Sequence, residues 1–172
     1  YSVLLTMLIS SFYILNKLNR LNIWLFYGFL YISIPLLIFL KISNLENGEN
    51  IIFWFLITIW STDTFSYILG NLIKGPKIFP FLSPSKTYSG TILGILLGTL
   101  IGSFYYFYFL NNNHLLFIFL FTILLSISAL IGDLIMSKIK RIFKVKDSSK
   151  ILPGHGGLLD RYDSISFGFI VL

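Results

Sequence analysis

From Ser137 to Asp163 the chain reads SKIKRIFKVKDSSKILPGHGGLLDRYD, the densest group of residue types able to do chemistry in this protein. The segment joins a basic cluster, a turn of Gly154, His155, Gly156 and Gly157, and a terminal Asp-x-x-Asp. Glycines permit tight backbone approach, and backbone N–H groups in such turns, helped by Lys and Arg, suit phosphate. A polybasic tether to anionic lipid would use Lys and Arg alone, and would need neither the glycines nor the acids that follow. His155 is a candidate for substrate contact, against a structural part in the turn, whereas His114 stands alone in a short turn and reads as solvated. Asp160 and Asp163 are three residues apart and share a helix face. By themselves they are explained equally well as N-terminal acids that favour the helix dipole. Asp133, at the end of the preceding apolar run, lies where an unpaired charge is costly. The three carboxylates, brought to one membrane face, point to a hard-oxygen site of the kind magnesium takes.

Two smaller patches carry further polar groups. Ser83-Pro84-Ser85-Lys86-Thr87-Tyr88-Ser89-Gly90 leads into an apolar run. Its hydroxyls and lysine could bind an anion at a helix start, and a helix cap explains them equally well. Asp63 is the one acid well inside an apolar run, within Ser61-Thr62-Asp63-Thr64-Phe65-Ser66. At a rise of about 1.5 Å per residue it lies roughly 10 Å below Gly70. An intramembrane acid is a functional candidate; the alternative is a structural pairing with a loop lysine.

The elements that position these residues follow from composition. Hydrophobic residues make up 56% of the 172, charged residues 12%, and the mean hydropathy is +0.84. A soluble domain has about a quarter of its residues charged, so this chain could not cover its own surface in water. Apolar segments fall at about Tyr1–Leu15, Ile23–Leu40, Ile51–Leu69, Thr91–Leu110 and Leu115–Met136, with the start of a sixth at Ile165–Leu172. In lipid such segments must be helices, which predicts an all-α, polytopic transmembrane bundle forming a single integral membrane domain over 1–172. Both ends lie inside apolar runs and read as truncations. The five connecting loops carry 2, 1, 3, 0 and 7 Lys or Arg residues. The alternation places loops one, three and five on the cytosolic side, so the loop 137–163 is expected to face the cytosol. Gly90, Gly94, Gly98 and Gly102 recur every four residues along the fourth segment. They predict close helix packing, with a passage for a lipid tail as the alternative. With no cysteine, disulfides and thiolate metal sites are excluded, and two histidines are too few for a histidine-built one.

The 137–163 segment resembles the signature of the phosphatidate cytidylyltransferases. Ser137, Lys140, Arg141, Lys146, Asp147, His155, Gly156, Gly157, Asp160, Arg161 and Asp163 occupy the signature's places at its spacing, with Ser149 and Leu152-Pro153 between them. Tyr162 departs from the aliphatic residue, Phe or Thr usual there. Trp60-x-x-Asp63-x-x-Ser66-Tyr67-x-x-Gly70 and Ser83-Pro84-x-Lys86-Thr87-x-x-Gly90 are similar to two further family patches, with Ser89 where Glu or Gln is common. The resemblance runs from about Ile51 to the end; the first 50 residues contribute topology and little else.

The resemblance implies transfer of a cytidylyl group from CTP to phosphatidic acid, giving CDP-diacylglycerol and pyrophosphate, in phospholipid synthesis at a bacterial inner membrane. It implies magnesium, with a second cation as an option, held by Asp133, Asp160 and Asp163. Lys140, Arg141, Lys146 and Arg161 would neutralise phosphates, and Asp147 would orient one of these cations or meet the ligand. His155, Gly156, Gly157 and Asp63, with Ser83, Lys86 and Thr87, would contact substrate. The expected partners are CTP, phosphatidic acid, membrane lipids and a second copy in a homodimer, with no nucleic acid. A dolichol-type lipid kinase, a transporter and a non-catalytic scaffold are the alternatives. A transporter would spread its ionisable residues across the midplane, and a scaffold has no need of the carboxylate trio.

Overall fold

The structure, a computed structural model, describes residues 20–80, 83–110, 114–145, 147–149, 157 and 159–172. The apolar segment expected at 1–15 and the candidates Lys146, His155 and Gly156 lie outside the described residues, as does the side chain of Arg161. Five helices are described: α1 (Arg20–Ser43), α2 (Gly48–Ile73), α3 (Tyr88–Leu110), α4 (Leu115–Ile142) and α5 (Leu159–Val171). The first four are long and apolar enough to cross a membrane. A two-stranded antiparallel ribbon, β1 (Lys77–Phe79) with β2 (Ser83–Thr87), joins α2 to α3. The chain is thus a polytopic helical membrane protein.

Two differences from the sequence expectation bear on the site. The fifth apolar run was expected to end near Met136, and the helix continues to Ile142, so Lys138, Lys140 and Arg141 are helical. Lysine and arginine are good helix formers, and their positive charge suits a helix C-terminus. The stop comes at Lys144, with a left-handed φ of 56°. The Val145 N–H bonds to the Lys140 carbonyl at 3.0 Å, and the Lys144 N–H to that of Arg141 at 3.0 Å, closing the helix with a Schellman-type end. The second difference is the ribbon, which replaces an expected irregular loop.

Helices α2 and α3 run antiparallel in the closest contact of the bundle, because the glycine stripe has no side chains to hold them apart. Gly90, Gly94, Gly98 and Gly102 meet Gly70, Ser66, Thr62 and Thr58 in that order, one index falling by four as the other rises by four. A Cβ on Gly90 would come 2.5 Å from the Gly70 Cα, on Gly94 2.7 Å from the Ser66 N, and on Gly98 2.9 Å from the Thr62 Cα. The stripe is therefore a packing surface along this whole seam. Two of the facing hydroxyls are satisfied locally: Thr58 donates to the Trp54 carbonyl at 2.8 Å, and Thr62 to that of Thr58 at 2.7 Å, whereas the Ser66 Oγ is buried with no partner among the described residues. The Thr62 and Ser126 hydroxyls lie 3.2 Å apart and join α2 to α4.

Away from this seam Trp54, Phe55, Ile59, Leu125, Ala129 and Phe169 form the buried core, with Phe55 stacked on Phe169 at 4.1 Å between ring centres. Large side chains such as Phe104, Leu116 and Leu72 stay exposed on the outer faces. This suits a bundle whose solvent is hydrocarbon.

Candidate active site

The charged side chains gather where α2 ends, the ribbon turns, and α4 and α5 meet. Four elements supply them. Asp63 comes from α2, Lys86 from β2, Asp133 and Lys140 from α4, and Asp160 and Asp163 from α5.

Lys140 is the centre of the better-defined half. Its Nζ donates to the Asp160 Oδ1 at 2.8 Å and the Asp163 Oδ2 at 3.0 Å. The Asp163 side chain is 2% exposed and that of Asp160 13%. Asp160 also accepts the backbone N–H of Gly157 at 2.7 Å and that of Ser148 at 2.9 Å, both on Oδ2. The first bond satisfies a backbone N–H just before the start of α5. The second draws the segment after α4 onto the same carboxylate. Gly157 is buried against this segment, and a Cβ there would come 2.7 Å from the Ser149 N and 2.8 Å from its Oγ. A glycine is required for that approach. Burial pushes the Asp160 carboxyl up, but the Lys140 ammonium and the Gly157 and Ser148 N–H groups outweigh it and hold it down at about 2.

Lys86 and Asp133 form the other half, an ion pair that fastens the ribbon to α4. Asp133 lies nine residues before the end of α4, because the helix continues past the apolar run. It is within Coulombic reach of both Asp63 and Asp163, so the two halves share one field. Asp63 accepts a hydrogen bond from the Ser164 Oγ at 2.9 Å, tying α2 to α5.

Other candidates have local roles in the structure. The Thr87 Oγ1 accepts the Gly90 N–H at 3.2 Å and so caps α3, which is the cap reading of that patch. Ser83 pairs with Phe79 in the ribbon. Arg141 reaches only the Val145 carbonyl, at 3.5 Å, and Asp147 is exposed; neither meets the cluster among the described residues. Two contributors were not anticipated. The Tyr31 hydroxyl donates to the Asp163 Oδ1 at 3.3 Å, and Ser164 holds Asp63. A tyrosine in an apolar run looks like any interfacial aromatic. Ser164 had one signal available, its place directly after Asp163 in a polar stretch.

The donor chemistry fits a hard divalent cation. Among the described residues, Asp63, Asp133, Asp160 and Asp163 face Lys86 and Lys140, leaving two formal negative charges unbalanced among these six groups. In the described arrangement the lysines occupy the carboxylates, and no group of three acidic or histidine side chains closes on one point among the described residues.

Fold and site together define a polytopic membrane protein with four carboxylates and two lysines clustered in its bundle. The chain belongs to the cytidylyltransferase family, whose sequence model matches residues 1–172. It is 38% identical over 148 residues to a phosphatidate cytidylyltransferase of Rickettsia typhi, covering 83% of this chain and 65% of that protein. It is 44% identical over 153 residues to the Rickettsia bellii protein of that name, covering 83% and 64%. For the one from Bacillus subtilis the identity is 37% over 139 residues, covering 80% and 52%. The aligned part of the chain thus spans less than two thirds of the length of these relatives.

Proposed function

We propose that this protein carries the catalytic part of a phosphatidate cytidylyltransferase. A phosphate oxygen of phosphatidic acid attacks the α-phosphorus of CTP, the bond from that phosphorus to the bridging oxygen of the β-phosphate breaks, and pyrophosphate leaves with the electron pair. The names of the relatives support the substrates. The observation that carries the reading is the clamp on Asp160. It gathers Ser148, Gly157 and Lys140, all from the segment suited to phosphate, onto one carboxylate.

The residues have defined tasks in such a transfer. The acceptor phosphate is already anionic near neutral pH, so no general base is needed to create the nucleophile. Phosphoryl-type transfer asks for positioning and charge neutralisation. An ammonium has three donors. Lys140 uses two on Asp160 and Asp163, leaving one for a phosphate oxygen. Lys86, held at Asp133, keeps donors for a second phosphate. Arg141, Lys146 and Arg161 add charge from the same segment, with Asp147 orienting one of them and His155, Gly156 and Gly157 lining the turn. Asp133, Asp160 and Asp163 would hold magnesium, which supplies charge neutralisation and a template for converging phosphate oxygens. Asp63 supports the ribbon side of the cluster through Lys86 and Ser164.

The counts of basic residues support a cytosolic position for this end of the bundle, and the bacterial relatives support the cytoplasmic membrane. The lipid would then stay in the bilayer while the nucleotide arrives from water. The test is membranes containing the full-length protein, incubated with phosphatidic acid, magnesium and CTP labelled on the α- or the γ-phosphate. Lipid labelled from the α-position only, and only with magnesium present, is expected. Lipid labelled from the γ-position would make the protein a kinase, because a kinase passes on the terminal phosphate.

A further inference from the structure

Asp163 has its two carboxylate oxygens engaged from opposite sides. Oδ2 faces Lys140 at 3.0 Å, and Oδ1 accepts the Tyr31 hydroxyl at 3.3 Å. Tyr31 belongs to α1, outside the part of the chain that carries the family signature. Its ring is clamped by neighbours of Asp163 on α5: edge-on to Tyr162 at 5.9 Å and 90°, and tilted against Phe167 at 6.2 Å and 52°. The Tyr162 hydroxyl reaches back to the Ile32 carbonyl at 3.4 Å, and Pro35 one turn further along α1 is fully buried. The ring is therefore held before its hydroxyl does anything. A rigid phenol delivering its O–H to a nearly inaccessible carboxylate is more than this packing needs.

We infer that Tyr31 is a positioning residue. It fixes the rotation of the Asp163 carboxylate so that Oδ2 stays directed at Lys140 and at the cation that Asp163 is proposed to share. The inference rests on that proposed cation-holding role. Partners of ligating carboxylates orient the ligand and raise its affinity, and losing one typically costs 10- to 100-fold in metal binding or activity. A carboxylate freed on one side rotates about its last bond, because that torsion is soft. Lys140 alone constrains only the other oxygen.

The substitution Tyr31→Phe isolates the hydroxyl, since it keeps both ring contacts. Tyr162→Phe is the control: it removes a hydrogen bond across the same helix pair but none to Asp163. The readout is Mn2+ binding to the purified full chain in detergent, followed by the electron paramagnetic resonance of free Mn2+ without substrates, with thermal melting in parallel. Tyr31→Phe is expected to bind Mn2+ about tenfold more weakly, with Tyr162→Phe and the unsubstituted protein alike. An unchanged Mn2+ affinity in Tyr31→Phe overturns the inference, whether or not its melting temperature falls. So does an unchanged affinity in Asp163→Asn, which also removes Asp163 from the cation site. If the Mn2+ pattern holds but no α-label enters lipid, the inference stands and the cytidylyltransferase reading falls.

Discussion

Replacing Lys140 by methionine keeps a stem of similar shape and removes the one ammonium that Asp160 and Asp163 share. The cost divides unequally. Asp160 keeps the N–H groups of Gly157 and Ser148 and stays satisfied. Among the described residues Asp163, 2% exposed, keeps the Tyr31 hydroxyl alone and becomes a buried carboxylate without a cation. Removing one partner of a buried ion pair typically costs 3–5 kcal/mol; with Asp160 still supported, Lys140→Met should lose about 3 kcal/mol, the lower end of that range. Adding Asp163→Asn removes the orphaned charge, so the double variant should be more stable than Lys140→Met alone. Lys140→Arg should recover only part of the loss, because a planar fork matches one carboxylate better than two on different residues. Unfolding in mixed micelles with rising dodecyl sulfate, followed by circular dichroism, gives the stabilities. Transfer of α-label in the same preparations should fall at least about 100-fold in Lys140→Met, the size of losing one preorganised donor to developing charge. A stability loss under about 1 kcal/mol, or a double variant less stable than the single one, would refute the shared-lysine account.

Other parts of the structure make independent predictions. Gly98→Ala should cost about 1–3 kcal/mol by overpacking, measured in the same micelles; a stability equal to wild type would mean α2 and α3 are not in the described register. Asp160 is held at about 2 against an ordinary 3.8, so its contribution to stability is complete above pH 3.8 and is lost as pH falls through about 2. Asp160→Asn should therefore be less stable at neutral pH and lose less on acidification between pH 4 and 2; parallel acid limbs for the two proteins would count against the clamp. Ser148 is exposed beside the site, so Ser148→Cys should resist an impermeant thiol reagent in intact cells while Asn112→Cys reacts. The reverse pattern would invert the proposed orientation.

The apolar runs located α1 to α4 because hydrocarbon leaves a backbone little choice. The end of α4 was not legible from hydropathy. The run stops at Met136, but the helix depends on backbone conformation and continues until Lys144 turns left-handed. Asp133, three residues from the end of the apolar run, is therefore nine residues from the end of the helix. The glycine stripe was readable as a packing face, because glycine every fourth residue leaves one side of a helix bare. Its partner stripe of Thr58, Thr62, Ser66 and Gly70 was hidden among common residue types. Asp160, Asp163 and Lys140 could be named from one segment, yet their meeting depends on the α4–α5 contact, which spacing does not encode. Tyr31 lies 132 residues from Asp163, and no local pattern links them. Thr87 offered two readings, and its bond to the Gly90 N–H favours the simpler one.

The matched stripes on α2 and α3 constrain how this chain can change length. A residue inserted between Thr58 and Gly70 would turn every later position on α2 by about 100°, setting side chains against glycines all along the seam. A compensating insertion would have to appear between Gly90 and Gly102. Both events would have to persist together, because either alone pries the helices apart. Length variation among homologues should therefore collect in the turn between β1 and β2, where added residues leave the register untouched. Lys86, four residues before the first glycine of the stripe, would keep its reach to Asp133 however long that turn became.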